Sequence, residues 1–418
     1  MEIAIDESGR IASVGKVRGG ASRHDVGDAI ILPAATDLHV HFREPGGPSE
    51  AETIPTGTVA AALGGVTLVG DMPNTHPPVT DLETWRDKVA RVQGRAAVDV
   101  LVYATPTDPG ALPALARHAG GFKVYLAPTT GIDSPPSPKE VPALWERLAE
   151  LRLPVAVHAE DPGAFGVDHH PTSPVEWNAV RPVTAESSAL DRMIRSPPAL
   201  RLHAAHVTTL DGARKLRQAR VSFEATPHHL LLSDRSGTDA RFKVNPPLRT
   251  EAERAALWKA FQQGEVPMVA SDHAPHSADA KQLPFERAPS GVPGVETMLP
   301  LLLARVRSGE LDLGVLVRAA CERPARWLGQ PHGRIAPGHR AHLIVVDFRD
   351  RSKVVGAKLA SPCGWSPFEG WDIVRPREHY RDGERIVEAG EFVGRSSGKV
   401  VRPEYALGEP AERPTTAE

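Results

Sequence analysis

A chain of 418 residues, 41% hydrophobic and 24% charged, is long enough for one large α/β barrel plus a smaller appended unit and has the balance of a soluble globular protein. A formal net charge of −3 gives no footprint for nucleic acid or an anionic membrane, and no apolar run approaches the ~20 residues that a membrane span needs. Two cysteines, Cys321 and Cys363, exclude a disulfide framework; with no basic-then-apolar leader at the N-terminus, they place the chain in a reducing cytoplasm.

Residues 1–32 carry short alternating runs such as Ile11-Ala12-Ser13-Val14-Gly15, the first part of a small β-sandwich. The apolar run Ala29-Ile30-Ile31-Leu32 reads as the first barrel strand, leading into Asp37-Leu38-His39-Val40-His41-Phe42-Arg43-Glu44. Residues two apart on a strand share a face, so His39 and His41 converge on one spot, with Arg43 adding a fixed cation. Alone, the pair does not separate half of a zinc site from two unrelated histidines.

Seven further strands follow: Gly65–Asp71, Val98–Tyr103, Phe122–Leu126, Pro154–His158, Leu202–Val207, Val221–Ala225 and Val266–Asp272. Helical stretches lie between them, including Thr84–Gln93, Val141–Leu151, Ala185–Arg195 and Leu210–Arg220. This alternation predicts a (β/α)8 TIM barrel over residues 33–334, whose chemistry sits at the C-terminal ends of the strands. No glycine-rich G-x-G-x-x-G turn supports an open nucleotide-binding sheet instead. Alternating runs return at 335–395 and complete the β-sandwich, and 396–418 reads as a flexible tail.

The suspicious residues all fall at strand ends. His39 and His41 close the first strand, Lys123 lies in the fourth, His158 ends the fifth, His206 the sixth and Asp272 the eighth. Four histidines and an aspartate suit zinc or another borderline divalent metal. An ammonium has no lone pair for a metal, so Lys123 joins the set only as a carbamate, formed when its neutral amine takes up carbon dioxide. The bland alternative is a lysine snorkelling from a strand end. His169, His170, His228 and His229 are read as outside the ligand set, His228 as a hydrogen-bonded structural residue. Glu224 is either support for a ligand or a satisfied core polar group. Trp365 reads as a packing anchor for the C-terminal segment.

The run Asp37 to Gly46 and the run Ala270-Ser271-Asp272-His273-Ala274-Pro275-His276 resemble the metal-binding signatures of the dihydroorotases, in the amidohydrolase superfamily. Gly70 to Thr75, Val157 to Asp161, Ala205 to Thr209, Glu224 to Leu230 and Lys243 to Arg249 match in the same order, so the resemblance spans about residues 30 to 395. It implies reversible interconversion of N-carbamoyl-L-aspartate and L-dihydroorotate in pyrimidine synthesis. His39, His41 and Asp272 would hold the more buried of two zinc ions, His158 and His206 the second, and N6-carboxylated Lys123 would bridge them. Many bacterial relatives place an aspartate at the position of Lys123, so the metal count rests on that lysine. Asp272 would be the catalytic residue, carrying a proton from the attacking water to the leaving amide nitrogen.

Arg43 is suited to a bidentate clamp on the substrate's carboxylate. The resemblance adds Asn74 and His276 to the clamp, and Asn245 with the Ser290–Gly291 backbone as ring contacts. The loop carrying Thr129 and Thr130 is placed to close over substrate. A hydantoinase or allantoinase would share the metals but leave Arg43 unpaired. A non-catalytic scaffold for aspartate carbamoyltransferase is a third reading, and such proteins have typically lost ligands that are all present here. Association with that carbamoyltransferase beside catalysis, and self-association, stay open.

Overall fold

The computed structural model describes residues 1–17, 22–47, 51–166 and 170–404. Eight parallel strands follow one another in sequence order: β1 (Ala35–Val40), β2 (Val66–Asp71), β3 (Asp99–Ala104), β4 (Gly121–Tyr125), β5 (Pro154–His158), β6 (Arg201–Ala204), β7 (Ser222–Ala225) and β8 (Met268–Val269). The ring closes through a parallel bridge between Val40 and His273, where His41 N–H donates to His273 O at 2.7 Å. Strands β1 to β5 are buried along their whole length, as expected of parallel strands covered by helices. The fold is the (β/α)8 barrel that the alternation predicts.

Local chemistry sets the element ends. Pro267 has no N–H for the ladder, so β8 starts after it rather than at Val266. The ladders of β6 and β8 stop short of His206 (φ 39°) and Asp272 (φ 46°), which take left-handed conformations. Non-glycine residues held there cost roughly 1–3 kcal/mol each, and such strain concentrates at functional sites. The helix Leu82–Val92 starts two residues before Thr84, because the Asp81 carboxylate caps it by accepting Thr84 N–H at 2.8 Å. The helix Val141–Leu151 lies where its pattern places it.

One strand assignment is corrected. The run read as the first barrel strand is instead Ile30–Pro33, pairing antiparallel with Leu343–Val346 in a five-stranded sheet outside the barrel. The chain passes through Ala34 and begins the barrel at Ala35. The two chain ends meet here: Glu2–Ile5 pairs with Ile11–Gly15, and Ile11 N–H donates to His339 O at 2.8 Å. Ile11, Ala341 and Leu343 form the shared core.

The stretch read as a tail is also corrected in part. Val400–Val401 pairs in parallel with Val100–Leu101 of β3, at the end of the barrel opposite the strand C-termini. The Arg402 guanidinium adds a hydrogen bond to Ala116 O at 2.9 Å. Residues 405–418 lie outside the described residues. Asp99 is the hub of this end. Its carboxylate meets Arg340 and Arg381 at 2.9 Å each and accepts Lys399 N–H at 3.0 Å, joining barrel, outer sheet and C-terminal strand. Asp99→Ala leaves the buried Arg381 without its close ion pair and Arg340 with Asp382 alone, and should lower the unfolding free energy by about 1–3 kcal/mol in a denaturant titration. A loss under about 1 kcal/mol would remove the hub role. Among the described residues no helix is long and apolar enough to cross a membrane.

Candidate active site

The strand C-termini deliver side chains to one cavity. His39, His41, Lys123, His158, His206 and Asp272 line it, together with Arg43, Asn74, Tyr125, Thr129, Thr130, Asn245, Ser290 and Gly291. His276 stands behind this lining, with Nε2 3.2 Å from Arg43 Nη2 and 2.9 Å from Ser290 O.

The six innermost groups crowd ring nitrogens together. His39 Nε2 lies 3.2 Å from His41 Nε2, 3.1 Å from Lys123 Nζ and 3.3 Å from Asp272 Oδ1. Asp272 Oδ1 is also 3.2 Å from His41 Nε2, and His158 Nδ1 is 3.0 Å from His206 Nε2. His39, His206 and Asp272 each present a ligand atom within 4.8 Å of the others. His206 Nδ1 has no hydrogen-bond partner among the described residues. A single proton satisfies one nitrogen–nitrogen contact at most, whereas a divalent cation accepts every lone pair at once, so the donor set fits a borderline metal.

Electrostatics keep these groups in ligand form. Burial, then the surrounding charges with Lys123 foremost, pushes His39 well below the ordinary imidazole range. His206 is pushed well below it by burial and by His158 and Lys123. His41 and His158 are also lowered, chiefly by burial. Neutral imidazole is the form that ligates. Burial lowers the Lys123 amine to about 8, while Asp272 and Glu224 pull the other way. Burial alone would raise Asp272, yet the hydrogen bond and charge of His41, with His228 and Lys123, hold it below its ordinary value.

A layer of acceptors orients the rings. His39 Nδ1–H donates to Glu224 Oε1 at 2.9 Å, and Glu224 Oε2 is held by His203 Nε2 at 3.0 Å. His41 Nδ1–H donates to Asn74 Oδ1 at 2.7 Å. His158 Nε2–H donates to Glu160 Oε2 at 2.7 Å, and Glu160 is ion-paired with Arg181. Each acceptor fixes which nitrogen faces the cavity. Glu224 therefore orients His39 rather than standing as an idle core group. Asn74, expected on the substrate's carboxylate, is engaged by His41 and donates Nδ2–H to Thr130 O at 2.8 Å.

The loop of Thr129 and Thr130 lies across the cavity. Thr130 Oγ1 donates to Ser290 O at 3.4 Å, and Asn245 Nδ2 lies 3.5 Å from Thr129 Oγ1. Arg43 is held from behind: Asp71 Oδ1 accepts Phe42 N–H at 3.1 Å, Lys88 Nζ donates to Glu44 O at 2.9 Å, and Asp71 and Lys88 pair at 2.6 Å with both side chains fully buried. Trp365 is buried and donates Nε1–H to His276 O at 2.8 Å, anchoring the C-terminal segment against the site.

Glu160, Arg181, His203, Lys88 and Tyr125 were not singled out from sequence. Glu160 sits two residues beyond His158, the same-face spacing that marks His39 and His41, so a signal existed for it. His228 departs from expectation: it is buried, but its Nε2 has no partner among the described residues, and burial lowers it to about 4. His170 contacts Glu286 at the surface, and His169 lies outside the described residues.

A closed parallel barrel with a buried histidine–lysine–aspartate centre at its C-terminal mouth is the arrangement of a barrel hydrolase with a candidate metal site. The profile of the amidohydrolase family matches residues 30–363, and the chain belongs to that family. A dihydroorotase of Halobacterium salinarum is 37% identical over 412 residues, covering 94% of each chain. A dihydroorotase of Thermoplasma acidophilum is 33% identical over 399 residues, covering 95% of this chain and 93% of its own. Among solved structures, an L-hydantoinase (dihydropyrimidinase) from Arthrobacter aurescens superposes with a TM-score of 0.87 at 27% identity, covering 94% of both chains.

Proposed function

We propose that this protein is a dihydroorotase, interconverting L-dihydroorotate and water with N-carbamoyl-L-aspartate in pyrimidine biosynthesis. Arg43 carries the reading. Its guanidinium is buried at the cavity wall, its hydrogen bonds go to Pro275 O at 2.9 Å and to His276, and no carboxylate of the described residues pairs with it. Burial lowers it only to about 10, so it is charged at neutral pH. A buried cation with no carboxylate in ion-pair reach among the described residues calls for an anionic substrate group, which dihydroorotate has and a hydantoin ring lacks. The dihydroorotase relatives support the same substrate, while the hydantoinase likeness supports the fold and the cyclic-amide class.

In this reading His39, His41 and Asp272 would hold one zinc ion and His158 and His206 a second, with carboxylated Lys123 as a further oxygen donor to the pair. When bound, the metals supply an activated water and polarise the ring carbonyl. The chain's own groups do the rest. Arg43 fixes the carboxylate and sets the ring's orientation. Asn245 and the Ser290–Gly291 backbone meet the ring edge. Asp272, ionised at neutral pH, takes the proton of the attacking water and delivers it to the departing amide nitrogen. The loop of Thr129 and Thr130 shields the reacting bond from bulk water.

The test is turnover of L-dihydroorotate by the zinc-loaded protein, with hydantoin and allantoin run alongside. Turnover of dihydroorotate far above the other two is expected. Preference for hydantoin or allantoin would keep the metal site and overturn the substrate.

A further inference from the structure

Trp177 belongs to no barrel strand, yet it reaches a residue of the cavity wall. It sits on the short helix Pro174–Val180 and packs beside Ala240, Phe285 and Ala288. The next residue pins that helix: Asn178 Oδ1 accepts from Arg249 Nη1 at 2.9 Å, and Asn178 Nδ2–H donates to Asp234 Oδ2 at 3.1 Å. Lys243 Nζ lies 4.7 Å from the centre of the indole and Arg181 Cζ 5.5 Å, so two cations hold the ring through its π-system. From this fixed ring, Nε1–H is shared between Val244 O at 3.0 Å and Asn245 Oδ1 at 3.1 Å.

The second of these bonds settles which way Asn245 faces. Its amide has an acceptor oxygen and a donor nitrogen of nearly equal shape, and either end suits a cavity wall. An indole N–H only donates. Oδ1 is therefore the atom turned to Trp177, and Nδ2 the atom turned away from it. Among the described residues Nδ2 has one contact, Thr129 Oγ1 of the loop across the cavity, at 3.5 Å, the outer limit of a hydrogen bond. An amide NH2 has two hydrogens and Thr129 takes one at most, so a donor is left over for a bound molecule.

We infer that Trp177 is a positioning residue for substrate recognition: its indole N–H fixes Asn245 with the amide NH2 toward the cavity, so a bound ring must offer an acceptor oxygen there. The inference rests on the dihydroorotase reading, in which Asn245 meets the ring. A cyclic amide carries carbonyl oxygens and N–H groups side by side. An amide side chain free to turn accepts either edge, whereas one held by Trp177 accepts only the oxygen. Fixing it beforehand also removes the cost of ordering it on binding.

The test is a double-mutant cycle of Trp177→Phe and Asn245→Ala, read as KM and kcat of the zinc-loaded proteins. Wild-type turnover of dihydroorotate is measured first, so failure of the substrate reading is seen separately. If another cyclic amide proves the substrate, the cycle is run on that one. Phe keeps an aromatic face for Lys243 and Arg181 and deletes the N–H. W177F should raise KM about 3–10-fold with kcat within about twofold, and N245A should raise KM about 10-fold or more. The double variant should be no worse than N245A, with zinc content unchanged throughout. A W177F KM within about 1.5-fold of wild type overturns the inference. So does a double variant showing the product of the two single effects, since Trp177 would then act through packing alone. Asn245→Asp tests the polarity and stands even if W177F does not fold. It keeps an oxygen for the indole and replaces the outward donor by an acceptor, so KM should rise at least as far as in N245A. An N245D KM within about threefold of wild type would make the outward group an acceptor and overturn the inference.

Discussion

Asp272→Asn should abolish turnover, by roughly 10³-fold or more, while the protein keeps at least one zinc ion and still binds dihydroorotate. The amide conserves shape and one ligating oxygen but cannot accept and return a proton at neutral pH. Asp272 suits the role because burial would favour its neutral form, and His41, together with His228 and Lys123, outweighs that effect. It therefore starts as a base. Its left-handed backbone, with φ 46°, aims the carboxylate at both His39 and His41, 3.3 and 3.2 Å away. Zinc content by elemental analysis and substrate binding by calorimetry separate the outcomes. Near-normal turnover would sink the proton-carrier role, and zinc lost in proportion to activity would reduce Asp272 to a ligand.

What could be read in the sequence were the features with a local period. His39, Val40 and His41 announce convergence because strand side chains alternate, and Lys123 stands out in a strand that is otherwise apolar or aromatic. Hydrophobic pattern does not say which sheet a strand joins. Ile30–Pro33 and Ala35–Val40 are strands one residue apart, and only pairing with Leu343–Val346 assigns the first to the outer sheet. Val400–Val401 is a two-residue apolar island among glycine, lysine, arginine and proline, too short for a periodic signal, and its role comes from the open edge it finds on β3. The Glu224–His203 pair behind His39 joins three strands, a contact across 185 positions between Glu224 and His39 that no local spacing encodes. Asn74 was legible as a site residue but not in its contacts, because an amide serves a ligand, a loop or a substrate equally well.

Lys123→Ala should cost as much as Asp272→Asn by a different route: the variant should bind no more than one zinc ion and lose roughly 10³-fold or more in turnover. The argument starts from burial. An ammonium among four imidazoles repels any cation, so the wild-type site admits metal only once that charge is removed. With the amine lowered to about 8, about half of it is neutral at pH 8, against well under 1% for an unperturbed lysine. Neutral amine takes up carbon dioxide, releases a proton and becomes an anionic oxygen donor. Reactivation of metal-free protein by zinc should therefore accelerate as pH rises from 7 through about 8, and bicarbonate should accelerate it further. The sign follows from the direction of the shift: a depressed amine loses its proton within this window, and each lost proton opens one more site to carboxylation. Reactivation indifferent to bicarbonate, or a Lys123→Ala protein holding two zinc ions at full activity, would reject the carbamate and leave Lys123 as a buried amine beside His39.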